Sequence, residues 1–190
     1  MRMRDYLENT FDDLPPNAVL LNVYDITWGN ALLSPLGIGV HHTGVEVYGR
    51  EYSYGRSTSG TGIFEVAPKK CTPHVFKESI VLGYTNINSA QLRFLVGQMS
   101  VDWLGPDYHI VRKNCNVFSG FFAAEILSKA GDALQQPDNG VVDARDVYDG
   151  PRGLCGVLPS WVNRVATAGV RYAPRLSDAI DHLDRTSQGM

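Results

Sequence analysis

The chain has 190 residues, 44% of them hydrophobic and 19% charged, with a formal net charge of -3 and a pI near 5.9. That is a globular composition, neither disordered nor fibrous, and the length suits one domain with a real core. It lacks the basic field that sequence-independent nucleic-acid binding needs, an apolar run of the roughly 18 residues that a membrane span needs, and an apolar stretch after Met1 that would read as a secretory signal.

Residues 1–17 form an expected N-terminal extension, closed by Leu14-Pro15-Pro16-Asn17, where two prolines deny a continued helix. From Ala18 to Ile26 a β-branched and aromatic run predicts a buried strand. Thr27 to Gly39 reads as a loop that Trp28 and several leucines pack onto the body. Val40 to Tyr48 predicts a second strand, Gly49-Arg50 a turn, and Glu51 to Tyr54 the returning strand of a hairpin. After a polar loop from Gly55 to Gly62, Ile63 to Val66 and Phe76 to Gly83 predict two more strands.

Asn88 or Ser89 is suited to cap a helix over Ala90 to Trp103, with Leu92, Leu95, Val96, Met99 and Trp103 at helical spacing and Gly105-Pro106 as its stop. Tyr108 to Val111 is expected to be short and extended. A second helix is expected from about Asn114 to Ala130, with Phe118, Phe121, Phe122, Ile126 and Leu127 at helical steps and Gly131 behind them. Residues 132–157 have no period and read as an insertion loop. Pro159 opens a last helix with Trp161, Val162, Val165 and Ala166, and 171–190 is a polar C-terminal tail. Strands first and helices after predict an α+β fold, an antiparallel sheet packed with helices, over residues 18–170.

Three cysteines, Cys71, Cys115 and Cys155, are too few and scattered for a disulfide framework and fit a reducing compartment. Cys115 stands where the second helix is predicted to start, between Asn114 and Asn116. Orphan N–H groups and the helix dipole favour a thiolate there, against a reference thiol pKa of about 8.5. The competing reading is a buried small hydrophobe. Cys71, beside Lys69-Lys70, reads as a loop thiol, and Cys155 falls in the insertion.

An activated thiol needs a proton shuttle. Of five histidines, His74 lies in a loop and His182 in the tail, while His41 and His42 are strand neighbours that must point to opposite faces. That excludes them as paired metal ligands on one face. His42 shares its face with Gly44, which allows close approach of a backbone or substrate, and with Glu46, a candidate to orient the ring. The competing reading is a hydrogen-bonded histidine in a wall of the core. For an oxyanion, the Cys115 N–H is a natural donor, and Asn22 and Tyr24, on one face of the first strand, are side-chain candidates that also suit structural hydrogen bonding. No CxxC, HExxH, P-loop or dinucleotide-binding pattern is present, and no metal or cofactor is expected.

Three blocks in order, Val19 to Asp25, His42 to Gly55 and Lys113 to Ser119, resemble the PPPDE family, whose best-known members are the desumoylating isopeptidases. The likeness takes in Glu78 to Gly83 and Pro159 to Arg164. It implies a papain-like cysteine protease fold, circularly permuted so that histidine precedes cysteine. It implies a Cys–His dyad, with Cys115 the nucleophile and His42, directly before Thr43-Gly44, the general base and acid. The implied activity is removal of a ubiquitin-like modifier (SUMO or ubiquitin) through a thioester. The groove candidates are Gly44, Trp28 and Asn116.

The implied partners are the modifier and its conjugates, with no nucleic acid and no membrane span. The implied location is cytoplasmic, with the nucleus open as well, and some relatives are homodimers, which admits self-association. Two departures stand out: Val117, where relatives often have histidine after Cys-Asn, and the length of 132–157. Two rival functions use the same residues. One is a protein S-acyl (palmitoyl) thioesterase with Trp28, Leu32, Leu33 and Leu36 as an apolar groove. The other is a non-catalytic module that binds ubiquitin-like proteins.

Overall fold

The computed structural model describes residues 14–26, 41–110, 112–128, 158, 159 and 162. The loop with Trp28, the segment 132–157 with Cys155, most of the expected last helix and the tail with His182 lie outside the described residues.

Five strands make one sheet: β1 (Ala18–Asp25), β2 (His41–Val47), β3 (Arg50–Tyr54), β4 (Ile63–Val66) and β5 (Val75–Tyr84). Their order is β4-β3-β2-β1-β5, and every neighbouring pair is antiparallel. The β2–β3 hairpin turns on Tyr48 and Gly49, both left-handed at φ 53° and 70°. Such a turn matches the twist of its flanking strands. Gly49 takes that conformation without a Cβ penalty, while the Tyr48 hydroxyl is tied down by donating to Ile87 O at 2.5 Å.

Alternation divides the sheet into two unlike faces. Val19, Leu21 and Val23 of β1, Val45 and Val47 of β2, and Tyr52 and Tyr54 of β3 pack with Phe118, Phe122 and Ile126 of helix α2 (Cys115–Ser128). Tyr52 meets Phe122 edge-on at 5.5 Å, and Tyr54 and Phe118 each meet Trp103 edge-on at 5.0 and 5.1 Å. Each such pair adds about 0.5–1.5 kcal/mol beyond the area it buries. Helix α1 (Ser89–Met99) closes the same core with Leu92, Leu95 and Met99. The opposite face is polar and carries His42.

Two helix and loop boundaries differ from expectation. Asn88 caps α1 in a full capping box with Gln91, but the helix ends at Met99 and not at Trp103. The Ser100 hydroxyl bonds back to Val96 O at 2.8 Å, and Asp102 N and Trp103 N both donate to Met99 O. This turn swings the Trp103 ring inward between Tyr54 and Phe118, so core packing outweighs continuation of the apolar spacing. Tyr108 to Ile110 is not an extended run, and Val111 lies outside the described residues. Gly105–Asp107 makes a 3-10 turn, and His109 and Lys113 exchange backbone hydrogen bonds at 2.9 Å, folding the chain back just before α2.

Candidate active site

Cys115 is the first residue of α2. Asn114 acts as its cap, the side-chain oxygen accepting from Val117 N at 3.0 Å while Asn114 Nδ2 donates to Ile110 O at 2.7 Å. This satisfies one orphan donor at the helix start and locks the cap to the preceding turn. Helix α2 is fastened to β2 by a polar clasp. Thr43 Oγ1 lies 2.9 Å from both Asn116 Oδ1 and Ser119 Oγ, and Asn116 Nδ2 donates to His41 O at 3.3 Å and Val162 O at 3.2 Å. Cys115 is 4% exposed, and its thiol lies 3.7 Å from Asn116 Oδ1.

The neighbouring strands part at Thr43. The β2–β3 pairing runs from Val47↔Arg50 to Val45↔Tyr52 and ends there. Beyond it the Ser53 hydroxyl donates to Thr43 O at 2.7 Å, and the Thr43 amide acts on the Cys115 sulfur. The same backbone unit thereby holds a residue of each sheet face.

His42 faces the polar side. Its Nε2 lies 3.0 Å from Ser53 Oγ and 3.3 Å from Cys71 Sγ. The ring stacks on His74 at 4.5 Å and on Phe64 at 6.3 Å, with Tyr24 tilted at 6.0 Å. Beside it sits a buried carboxylate. Glu51 accepts from the Tyr24 hydroxyl at 2.7 Å, from Asn22 Nδ2 at 2.7 Å and from Lys69 N at 2.8 Å. No hydrogen bond joins His42 to Cys115 among the described residues. His41 turns to Asp25, with Nδ1 3.1 Å from Oδ1.

Burial dominates the electrostatics. It pushes the Cys115 thiol up to about 11, although the amides of Thr43, Asn116 and Cys115 itself and the Tyr108 hydroxyl all favour the thiolate. The helix start therefore does not produce a resting thiolate as local sequence suggests, because desolvation of the charge outweighs its donors. Burial likewise pushes His42 down to about 3, helped by His74, and lifts Cys71 to about 12. His41 and His74 are also lowered by burial. Burial raises Glu51, with its three donors pulling the other way. Thiol and imidazole are thus both neutral at rest.

The candidate residues separate into three groups. His42 and Cys115 stand on either side of Thr43. Tyr24 and Asn22 are committed to Glu51; Asn22 also donates to Glu46 at 2.8 Å and accepts from Ser79 Oγ at 2.5 Å. Glu46 therefore meets Asn22, and His42 is oriented by Ser53 and Cys71. Asn116 is buried in the clasp, and the space above Gly44 is filled by the Glu51 carboxylate. Trp28 lies outside the described residues.

Sequence reasoning missed Ser53, Cys71, His74 and Glu51. The first and last had a signal: in Glu51-Tyr52-Ser53-Tyr54 the polar positions alternate with tyrosines, and the hairpin register puts them on the face of His42. Cys71 and His74 arrive on a loop, which carries no such register. Among the described residues no group of three or more His, Cys, Asp or Glu is placed to hold a metal ion, and no helix is long and apolar enough to cross a membrane.

Residues 17–132 match the family described as "PPPDE putative peptidase domain". The chain is 40% identical over 153 residues to a Caenorhabditis elegans protein named desumoylating isopeptidase 1 homolog, covering 78% of this chain and 38% of the relative. It is 31% identical over 152 residues to a DeSI-like protein of Arabidopsis thaliana, covering 80% and 56%. It is 31% identical over 121 residues to Xenopus laevis desumoylating isopeptidase 1, covering 60% and 69%. The matches thus span less than two thirds of the worm and plant relatives' own length.

Proposed function

We propose, since the chain belongs to the PPPDE peptidase family, that it is a thiol-dependent isopeptidase that removes a ubiquitin-like modifier from proteins. The observation that carries this reading is the position of Cys115 at the first turn of α2, its sulfur under the Thr43 amide, with His42 one residue before Thr43. A histidine strand that precedes a cysteine helix in the chain also fits a circularly permuted papain-like order.

In this reading the resting pair is neutral. As the modifier's C-terminal carbonyl meets the sulfur, His42 takes the thiol proton and the sulfur forms a bond to the carbonyl carbon. The oxyanion is held by the Cys115 amide. Collapse breaks the C–N bond, and the departing lysine amine takes the proton from His42. Water, deprotonated by His42, then attacks the thioester carbonyl, the C–S bond breaks, and the leaving sulfur takes that proton back from His42 to restore the neutral thiol. Proton transfer at the moment of attack avoids creating an isolated buried thiolate, whose cost is why the thiol is pushed up to about 11. The conjugates of SUMO or ubiquitin are the proposed partners, in the cytoplasm or nucleus.

The test uses SUMO and ubiquitin carrying a C-terminal electrophile. The wild type should form a covalent adduct that maps to Cys115, and Cys115→Ala and His42→Ala should each abolish it. An adduct that survives Cys115→Ala overturns the assignment. The modifier that reacts faster identifies the substrate class.

A further inference from the structure

We infer that Ser53 is a positioning residue that holds the His42 ring in its Nε2–H tautomer and so leaves Nδ1 as the atom that exchanges protons. This rests on the reading of His42 as the general base. Ser53 Oγ lies 2.7 Å from Thr43 O. Two oxygens that close repel unless a proton lies between them, and a carbonyl has none to give. The single hydroxyl proton of Ser53 is therefore spent on Thr43 O.

Ser53 Oγ also lies 3.0 Å from His42 Nε2. With its own proton already placed, the hydroxyl can only accept there, so the proton in that contact belongs to Nε2. Cys71 Sγ, 3.3 Å from the same nitrogen, shares it as a second, weaker acceptor. In neutral imidazole one nitrogen carries a proton and the other a lone pair. Fixing the proton on Nε2 puts the lone pair on Nδ1, which has no hydrogen-bond partner among the described residues.

The ring packs nearly parallel to His74 and Phe64, with centroids at 4.5 and 6.3 Å. Ser53 itself is fully buried on β3, a rigid element, and its anchor Thr43 O belongs to the same residue whose amide acts on Cys115. When Nδ1 takes a proton from the thiol, Nε2 keeps its own, and the bond to Ser53 becomes charge-assisted and shorter-ranged in favour of the imidazolium. Loss of the hydroxyl removes both the tautomer preference and that support.

The test reads the tautomer directly, by two-dimensional NMR that correlates the two ring nitrogens of His42 with the ring carbon-bound protons in the full chain at neutral pH. The wild type should show a protonated Nε2 and an unprotonated Nδ1. Ser53→Ala should give a mixture of the two tautomers and slow adduct formation with the modifier electrophile by about tenfold to a hundredfold, the rate equivalent of one buried hydrogen bond. Ser53→Thr, which keeps the hydroxyl, should restore both. A wild type protonated on Nδ1 overturns the inference, and so does a Ser53→Ala variant with unchanged tautomer and unchanged rate. If Ser53→Ala does not fold, the wild-type spectrum alone decides. A wild type with the expected tautomer but no Cys115 adduct leaves the tautomer lock standing and overturns the isopeptidase reading instead.

Discussion

Alkylation of Cys115 as a function of pH separates a neutral resting thiol from a preformed thiolate–imidazolium pair. The thiol is pushed up to about 11 by burial. At about pH 7 its thiolate fraction is then on the order of 10⁻⁴, against about 3% for an ordinary cysteine with a pKa of about 8.5. That is about a 300-fold deficit. A more basic thiolate is intrinsically more nucleophilic, and a Brønsted slope of about 0.45 over the difference returns about 13-fold. The net expectation is labelling by iodoacetamide about twentyfold slower than a free thiol, before any steric hindrance from a residue only 4% exposed. The rate should climb about tenfold per pH unit up to about the thiol's own pKa.

The assay is timed iodoacetamide labelling in a Cys155→Ser background, followed by peptide mapping so that Cys115 and Cys71 are scored separately. Cys71, lifted to about 12, is the internal control and should lag further. His42→Ala should leave the Cys115 profile unchanged, because a neutral imidazole with no hydrogen bond to the sulfur contributes little to its acidity. A labelling rate that plateaus between about pH 5 and 8, and falls with His42→Ala, would refute the reasoning, because that is the signature of an ion pair formed at rest.

Gly44→Ala should destabilise the fold by about 3 kcal/mol, since its Cβ would run into the Glu51 carboxylate, Cγ and Cδ, and Glu51 cannot retreat without breaking bonds to Tyr24, Asn22 and Lys69. Urea unfolding measures it, and a loss below about 1 kcal/mol would show that the carboxylate has room to move. His42, pushed down to about 3, should make stability fall as pH drops. Above about 6.5 both folded and unfolded states hold it neutral; below, only the unfolded state binds the proton, and the loss accumulates at about 1.4 kcal/mol per pH unit until the folded-state value is reached. His42→Gln should remove about that slope from urea midpoints measured between about pH 7 and 5, and an unaltered slope would mean that the ring is not buried neutral. His41 and His74, also lowered, account for any slope that remains.

What the sequence made legible follows from which forces are local. The β2–β3 hairpin was readable because the strand alternation and the Gly49 turn act over a few residues, and the start of α2 because Asn114 and the phenylalanine spacing do. The end of α1 was not, because Trp103 obeys two partners distant in sequence, Tyr54 and Phe118. The same division runs through the site. Cys115 and His42 carry local marks, a helix start and a strand place before Thr43-Gly44. Their acid–base state does not, because it depends on burial set against the donors Thr43, Asn116 and Tyr108 for the thiol and on burial beside Phe64, Cys71 and His74 for the ring. A helix N-terminus by itself favours a thiolate; the fold wraps that terminus in protein and keeps the proton on the sulfur.

The parted strands give this chemistry its geometry. In an unbroken ladder the N–H and C=O of Thr43 would bond to β3 and nothing else could reach them. Here the pairing ends at Val45↔Tyr52, the carbonyl is met by the Ser53 hydroxyl, and the amide acts on the Cys115 sulfur. One rung of the sheet is replaced by two side-chain contacts, one from each face. A sheet is otherwise a barrier between its faces, and a helix-borne thiol would stay apart from a strand-borne imidazole on the far side. The missing rung lies at the residue next to His42, and the clasp of Thr43 with Asn116 and Ser119 fixes α2 at the same point. Strand separation, helix docking and ring orientation all therefore converge on Thr43, which in the proposed reaction touches neither substrate nor transferred proton yet sets the positions of the groups that would.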